Sequence, residues 1–256
     1  PDNSHLLKRI SKSRWNYIML IPTLVLLLLF CYLPIYGVLI AFQDYKIGDP
    51  ILSFTGNTTW VGLKNFTDFF SSMFFGQLMK NTLRLSVKSL LFGFWVPIAF
   101  ALLLNEIQIP WYKRITQTLV YLPYFISNVI VVSILMSMTG SEGFIGNLTQ
   151  LITGKYSNLM NMPEAFDSLY IGSNIWQTFG YSSIIYLAAI AAIDPTLYEA
   201  ATMDGANRFH KLRYITVPGI MPTITILLIL AVGGILGSNT EKVLLMLNPN
   251  NRPIAQ

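Results

Sequence analysis

Few residues of this sequence have the types and spacing that catalysis requires. No glycine-rich phosphate-binding loop is followed by Lys and Ser or Thr, so the chain is not expected to hydrolyse ATP itself. The two histidines, His5 and His210, lie outside the apolar runs, the single cysteine is Cys31, and no cluster of His, Asp and Glu has the spacing of a metal site. Gly180–Ser182 has a weak likeness to an intramembrane serine nucleophile, but such a serine needs a base, and no histidine lies in an apolar run. The sequence therefore predicts a non-catalytic protein with no metal and no cofactor of its own.

A better chemical signal is a set of polar and aromatic residues inside apolar runs. Ionisable side chains are rare within a membrane, where they usually face a polar path or a partner. Arg84 and Lys88 are four residues apart and so share one helix face; they could meet a substrate, or they could extend to the lipid headgroups. Aromatic rings at these depths could contact a substrate or could simply pack or anchor the interface. The candidate path residues are Arg84, Lys88, Asn128, Trp176, Gln177 and Tyr181.

Membrane helices would position these residues. The chain of 256 residues is 53% hydrophobic and only 11% charged, whereas a soluble domain usually carries about 25% charged residues. We therefore predict an all-α, polytopic membrane protein, a helical bundle with five visible spans. The expected spans are Ile18–Phe42, Leu83–Leu104, Ile115–Met138, Asn174–Ile193 and Ile220–Leu236. The net charge of +5 favours topology signals and anionic lipid as its explanation, rather than nucleic acid.

The distribution of Lys and Arg predicts the orientation. Residues 1–17 are basic with an apolar face, which is typical of an amphipathic helix on a membrane surface. Residues 18–256 would form the transmembrane domain. Placing the N-terminus in the cytoplasm puts the denser basic segments inside, as the positive-inside rule requires. The polar loop between Thr139 and Ser173 then lies outside, and its length favours a helix or a binding surface within it.

A polar stretch between the last two spans, residues 194–217, predicts an elbow of two short helices on the cytoplasmic side. Asp194 is a good N-cap, and Pro195 is a good first helical residue. Gly205 would close the first helix, because glycine tolerates the left-handed geometry of a helix end. Asn207 could cap the second helix, and Pro218 would mark the start of the next apolar run.

The elbow also carries a family resemblance. Glu199–Ala201, then Gly205, then Ile215-x-Val217-Pro218 resembles the EAA loop of bacterial ABC importer permeases, with Val217 in place of the usual Leu. Asp204, Gly205, Ala206 and Phe209 extend the likeness to the carbohydrate-uptake branch, and the segment from Trp60 to Phe66 resembles the one that sugar permeases carry after their first span.

The resemblance implies a translocation pathway for a sugar, most simply an oligosaccharide, whose rings the aromatic residues could stack on. In that family the loop is a helix that docks on a cytoplasmic ATPase. The coupling residues would be Glu199, Ala200, Ala201, Asp204, Gly205, Phe209, Arg213 and Pro218. The implied partners are a second permease, two ATPase subunits that bind ATP and Mg, an external solute-binding protein and the lipid of the bacterial inner membrane.

The family pattern also implies a sixth span after Gln256, so a truncated sequence is expected. Two alternatives to a sugar permease are an ABC permease for a peptide or amino acid, and a channel or membrane enzyme.

Overall fold

The computed structural model describes residues 13–46, 48, 59–140, 142–153, 158–237 and 239–251. Within these residues the chain is helical, and its extended backbone makes only one isolated β-bridge, between Gln43 and Trp60. The all-α prediction is therefore confirmed. The chain divides into two compact units, Pro1–Phe75 and Gly76–Gln256, each of which is described by itself.

The first unit contains one long helical stretch and one short helix. Helix α1, Arg14–Leu27, continues through a wide π turn, Leu28–Tyr32, and a tighter 3-10 segment, Leu33–Phe42. After the bridge, helix α2 covers Lys64–Phe70. The Asn65 side-chain amide donates hydrogen bonds to the carbonyls of Ala41 and Gln43, at 3.1 and 2.9 Å. These bonds satisfy backbone acceptors that the end of a helix leaves unpaired.

The second unit holds the remaining helices. In chain order they are α3 (Phe75–Gly93), α4 (Trp95–Asn105), α5 (Pro110–Tyr121), α6 (Asn128–Thr139), α7 (Phe144–Thr153), α8 (Phe166–Ala191), α9 (Pro195–Met203), α10 (Arg208–Lys211), α11 (Val217–Gly233) and α12 (Thr240–Met246). A 3-10 segment, Leu122–Phe125, follows α5, and further 3-10 turns at Leu159–Asn161 and Pro163–Ala165 precede α8. The loop after α6 therefore contains a helix, as its length indicates.

Helix α8 is the axis of this unit, since α4, α5, α6, α11 and α12 all contact it. One buried cluster joins α4, α8 and α11 and consists of Ile98, Ala101, Tyr186, Ile190, Ile220 and Ile224. A second cluster joins α3, α6, the first half of α8 and α12 and consists of Leu85, Val132, Met160, Phe166, Tyr170, Ile171 and Met246. Two apolar layers thus hold α8 at both ends.

Four or five membrane crossings are present in the described chain by length and composition, and their boundaries differ from the predicted ones. By length and composition, the described helices able to cross a bilayer are Arg14–Phe42, Phe75–Asn105, Asn128–Ile152 and Arg208–Gly233. A further crossing counts if the bent pair Pro163–Ala191 and Pro195–Met203, which turns by 66°, is taken as one span. The second and fourth predicted spans begin eight residues earlier, at Phe75 and Phe166.

The third predicted span, Ile115–Met138, is wrong as a continuous helix. The backbone of Ile126 and Ser127 is extended, with ψ of 134° and 151°, and this break separates α5 and its 3-10 extension from α6. Pro123 weakens the helix because it supplies no N–H. Ser127 then starts a new helix by accepting a hydrogen bond from the Ile130 N–H at 3.5 Å. Ser127 and Asn128 therefore mark the start of a helix.

The elbow's second helix was predicted to end before a separate fifth span, and this prediction is also wrong. Helix α10 continues through a π segment, Leu212–Thr216, directly into α11. A wider turn lets the chain pass Pro218, which lacks an N–H and would clash with the preceding turn of a regular helix. The second arm of the elbow and the span thus form one continuous helical rod. Residues 1–12 of the predicted surface helix lie outside the described residues, and the division at residue 17 stays a prediction.

Candidate functional site: the elbow and the groove

The bend between α8 and α10 is fixed by local hydrogen bonds. Asp194 caps α9 by accepting from the Thr196 N–H at 2.9 Å, and this bond holds the pKa of the exposed Asp194 carboxyl below its ordinary value. Gly205 has a φ of +77°, in the left-handed region that glycine adopts without strain. Asn207 then caps α10 by accepting from the His210 N–H at 2.8 Å. All three predicted cap positions are confirmed.

Side chains also brace the two arms of the elbow against each other. The hydroxyls of Tyr198 on α9 and Thr216 in the π segment are 2.9 Å apart and hydrogen-bonded. The Lys211 ammonium donates to the Thr202 hydroxyl at 2.7 Å, and that hydroxyl donates to the Tyr198 carbonyl at 2.6 Å. Because the second arm runs on into α11, a force on the elbow is carried into a membrane helix.

Several large apolar side chains of the elbow are exposed. Leu197, Met203 and Phe209 are 52%, 88% and 63% exposed, and Glu199 on the same helix as Leu197 and Met203 is also exposed. Large apolar side chains exposed together on one short segment are typical of a protein interface. Of the predicted coupling residues, all but the half-buried Ala201 are exposed. These are Glu199, Ala200, Asp204, Gly205, Phe209, Arg213 and Pro218.

A groove with both polar and apolar walls lies between α3, the start of α4, α8 and the last turns of α11. Two adjoining cavities, of about 320 and 380 Å³, share Gly93, Thr178 and Ser182 in their walls. One face of α8, at helical spacing, supplies Asn174, Thr178, Tyr181, Ser182 and Ile185, and one face of α3 supplies Ser86, Ser89, Leu90 and Gly93. The buried Ser89 hydroxyl on the α3 wall has no hydrogen-bond partner in the described chain.

Aromatic rings form one end of the groove. Tyr124, just before the break in the third span, stacks on Tyr181 with ring centroids 3.9 Å apart and planes 6° from parallel. Phe125 meets the edge of the same Tyr181 ring at 6.3 Å. Such faces can stack on the apolar side of a ring-shaped ligand, while the hydroxyls and amides of the groove hydrogen-bond its substituents.

Arg84 and Lys88 form a charged cluster with Asp167, which lies in the first turn of α8. The Lys88 ammonium is 2.6 Å from one Asp167 carboxylate oxygen, and the Arg84 guanidinium is 3.2 Å from the other. The dipole of α8 favours a carboxylate at this position. Neither cation lines the groove, although both lie on α3 near Ser86 and Ser89, which do. Sequence reasoning missed Asp167, because its partners lie 79 and 83 positions earlier in the chain.

The other candidate path residues separate into different places. Tyr181 lines the groove. Trp176 instead lines a separate apolar cavity of about 270 Å³, with Val131, Ile134 and Met138 of α6. Gln177 is buried and turned toward the break, where its amide donates to the Ile126 carbonyl at 2.9 Å. Asn128 donates to the Glu241 carboxylate at 2.6 Å.

Lys242 is a buried residue that no sequence pattern singles out. Its side chain is fully buried, and its ammonium donates to the Gln177 side-chain oxygen at 3.2 Å. Desolvation disfavours the charged form and lowers the pKa of Lys242 to about 8. No described carboxylate forms an ion pair with it. From the sequence alone, a lysine in a short helix such as α12 is expected to be exposed to solvent. Lys242 is buried because α6 and α8 pack against α12.

Membrane-crossing helices around a groove, with an exposed elbow between two of them, fit a transport permease. The chain belongs to the family of binding-protein-dependent transport system inner membrane components, whose model matches residues 89–241. It is thus a membrane subunit of an ABC transport system, and the resemblance stated from the elbow motif is confirmed.

Individual relatives support the same assignment. The chain is 45% identical, over 98% of its length and 77% of the relative, to the polygalacturonan/rhamnogalacturonan transport system permease protein YteP of Bacillus subtilis (strain 168). It is 43% identical to Protein LplB of the same organism, over 96% of this chain and 76% of that protein. It also matches the crystal structure of a bacterial ABC transporter involved in the import of the acidic polysaccharide alginate, with a TM-score of 0.84 and 39% identity over 98% of this chain and 83% of that one.

Proposed function

We propose that this permease forms the path by which an ABC importer moves an oligosaccharide, and that the favoured oligosaccharide is anionic. The observation that carries the substrate class is the groove, which combines hydroxyl and amide groups on α3 and α8 with the stacked rings of Tyr124 and Tyr181. Sugars present both hydroxyl groups and an apolar ring face, so this combination suits them better than it suits a small ion.

The preference for an anion rests on the cluster of Arg84, Lys88 and Asp167. The Lys88 ammonium contacts Asp167 at 2.6 Å, yet the Lys88 side chain is still 45% exposed. A uronate carboxylate approaching the groove would therefore gain a charge-assisted hydrogen bond. Two relatives support this assignment, because YteP is named for polygalacturonan and the solved transporter for the acidic polysaccharide alginate.

The proposed assembly contains a second permease, two cytoplasmic ATPase subunits and an external solute-binding protein. A related transporter has been solved in complex with an alginate pentasaccharide-bound periplasmic protein, which supports the last of these partners. ATP and Mg would be bound by the ATPase subunits, and the N-terminus would lie in the cytoplasm. When the ATPases close, they would move the elbow, and the continuous rod from α10 to α11 would swing the groove from one side of the membrane to the other.

Uptake of matched sugars tests the proposal. The complete transporter is reconstituted in vesicles with ATP inside and its binding protein outside, and uptake of an oligouronide and of a neutral oligosaccharide of equal length is measured. The test variant combines Arg84→Gln, Lys88→Gln and Asp167→Asn, so that no carboxylate is left unpaired in the fold. A lost charge-assisted hydrogen bond of about 1.5–3 kcal/mol corresponds to a loss of about tenfold or more.

We expect the triple variant to lose oligouronide uptake by that factor while any uptake of the neutral sugar stays nearly constant. Equal losses for both sugars would refute the anionic preference. Failure of the unmodified transporter to import any oligosaccharide, with import of a peptide or amino acid instead, would refute the substrate class.

A further inference from the structure

The break between α5 and α6, in the predicted third span, leaves a backbone carbonyl without the hydrogen bond that a continuous helix would give it. The extended conformation of Ile126 and Ser127 keeps the Ile126 carbonyl out of the α6 hydrogen-bond pattern. An unpaired carbonyl in an apolar membrane environment is costly. The Gln177 amide group supplies the missing donor at 2.9 Å. The geometry of the break therefore depends on which way the Gln177 amide points.

Lys242 secures that direction from the other side, because the Ile126 carbonyl can only accept and the Lys242 ammonium can only donate. An amide can present either its oxygen or its nitrogen to a neighbour, but an ammonium group can only donate. Because the Lys242 ammonium contacts the Gln177 oxygen at 3.2 Å, the Gln177 nitrogen must face the Ile126 carbonyl. A second tie from the same helix reaches the other side of the break, since Glu241 accepts from Asn128 at 2.6 Å.

The break in turn places the aromatic end of the groove. Tyr124 and Phe125 lie immediately before Ile126, and both rings contact Tyr181. A shift of the Ile126 carbonyl would move the short 3-10 segment, Leu122–Phe125, to which these rings belong. A continuous set of contacts therefore leads from α12 through α8 to the groove, although Lys242 itself does not line it.

We propose that Lys242 is a positioning residue of the translocation groove: it fixes the Gln177 amide, which holds the break in the third span and thereby presents Tyr124 to Tyr181. The transport role of this arrangement rests on the proposed function, but the mechanical link does not. Helix α12 is thus a support for the substrate path, and substitutions in it should affect transport without touching the substrate.

A spin label near the break tests the link in the complete transporter. In a Cys31→Ser background, Phe125→Cys is labelled with a nitroxide, and its mobility is measured by electron paramagnetic resonance. Lys242→Met removes the donor while keeping the length of the side chain. Gln177→Glu keeps an acceptor for Lys242 but loses the donor to the Ile126 carbonyl. Lys80→Met, at an exposed lysine on α3, is the matched control.

We expect a larger mobile fraction of the label with Lys242→Met and with Gln177→Glu, and no change with Lys80→Met or with the donor-retaining Lys242→Arg. Oligosaccharide uptake should fall roughly fivefold in the first two variants, the factor that one hydrogen bond is worth. An unchanged label in Lys242→Met would overturn the proposal. A label that becomes mobile in Gln177→Glu but not in Lys242→Met would also overturn it, because Gln177 would then hold the break without Lys242.

The label also separates this inference from the proposed function. If the unmodified transporter imports no oligosaccharide, the proposed function fails, and the label mobility alone decides whether Lys242 positions the break. If uptake falls in Lys242→Met while the label stays fixed, the proposed function stands and the positioning role of Lys242 is refuted.

Discussion

Replacement of Gly205 by valine tests the backbone conformation of the elbow without creating a side-chain clash. Gly205 has a φ of +77°, and a Cβ atom built at this position meets nothing within 4 Å. The cost of a side chain here is therefore backbone strain and not a clash. Left-handed geometry costs an L-residue about 1–2 kcal/mol, and a β-branched residue tolerates it least. A penalty of that size shifts a two-state population by a factor of roughly 5 to 30.

The strain would act on the turn that joins α9 to α10. The Gly205 N–H donates to the Thr202 carbonyl at 3.1 Å, and the Ala206 N–H donates to the Ala201 carbonyl at 2.9 Å. Gly205→Val should weaken both bonds and misalign α9 with α10, while the membrane helices remain intact. ATPase docking should weaken, and the binding protein should no longer stimulate ATP hydrolysis.

The assay compares stimulated ATP hydrolysis and oligosaccharide uptake in reconstituted transporters. Gly205→Asn is the matched control, because asparagine tolerates the left-handed region and should retain most of the coupling. Gly76→Val provides a second control, since that glycine also has open space around its Cβ position but has no positive φ. Normal stimulated hydrolysis and uptake in Gly205→Val, with both ATPase subunits bound, would refute the mechanical role of the elbow.

Three further outcomes follow from individual residues. A cysteine at Ser11 should be protected from an impermeant thiol reagent outside intact cells, and labelling there would reverse the predicted topology. Gly180→Ala should reduce the amount of folded permease, as measured by size-exclusion chromatography, because the added Cβ would collide with the Val120 backbone carbonyl. Burial lowers the pKa of Lys242 from 10.5 to about 8, so the folded transporter bears the cost of a buried charge below that pH and loses this cost as the pH rises toward 10.5. The melting temperature of the unmodified transporter should therefore rise relative to Lys242→Met over this interval, and parallel melting curves would contradict the stated pKa.

The sequence predicts the elbow well because its determinants are local. Asp194, Gly205 and Asn207 each act on backbone groups within three residues, so their types and positions are sufficient evidence. The continuation of α10 into α11 is not predictable in the same way. Pro218 normally indicates a helix start, and only the π segment before it shows how the rod stays continuous.

The groove is only partly predictable because it depends on which helices meet. Tyr181 and Trp176 are five residues apart, which places them about 140° apart around α8, so helical spacing alone could have shown that they cannot share one path. The contact of Lys88 with Asp167, and that of Lys242 with Gln177, join residues 79 and 65 positions apart. No local pattern indicates such pairs in a single sequence.

Cross-linking from the elbow to an ATPase subunit tests the central claim most directly. In a Cys31→Ser background, Met203→Cys places a thiol on the 88% exposed position at the end of α9, and Leu151→Cys places one on the 84% exposed position of α7 as a control. The purified transporter is treated with a short reagent that couples a thiol to an amine, and cross-linked products are identified by mass spectrometry. We predict a product between Met203→Cys and an ATPase subunit, and none from Leu151→Cys. An assembled, transport-active complex that gives no such product from Met203→Cys, or the same product from Leu151→Cys, would contradict the account.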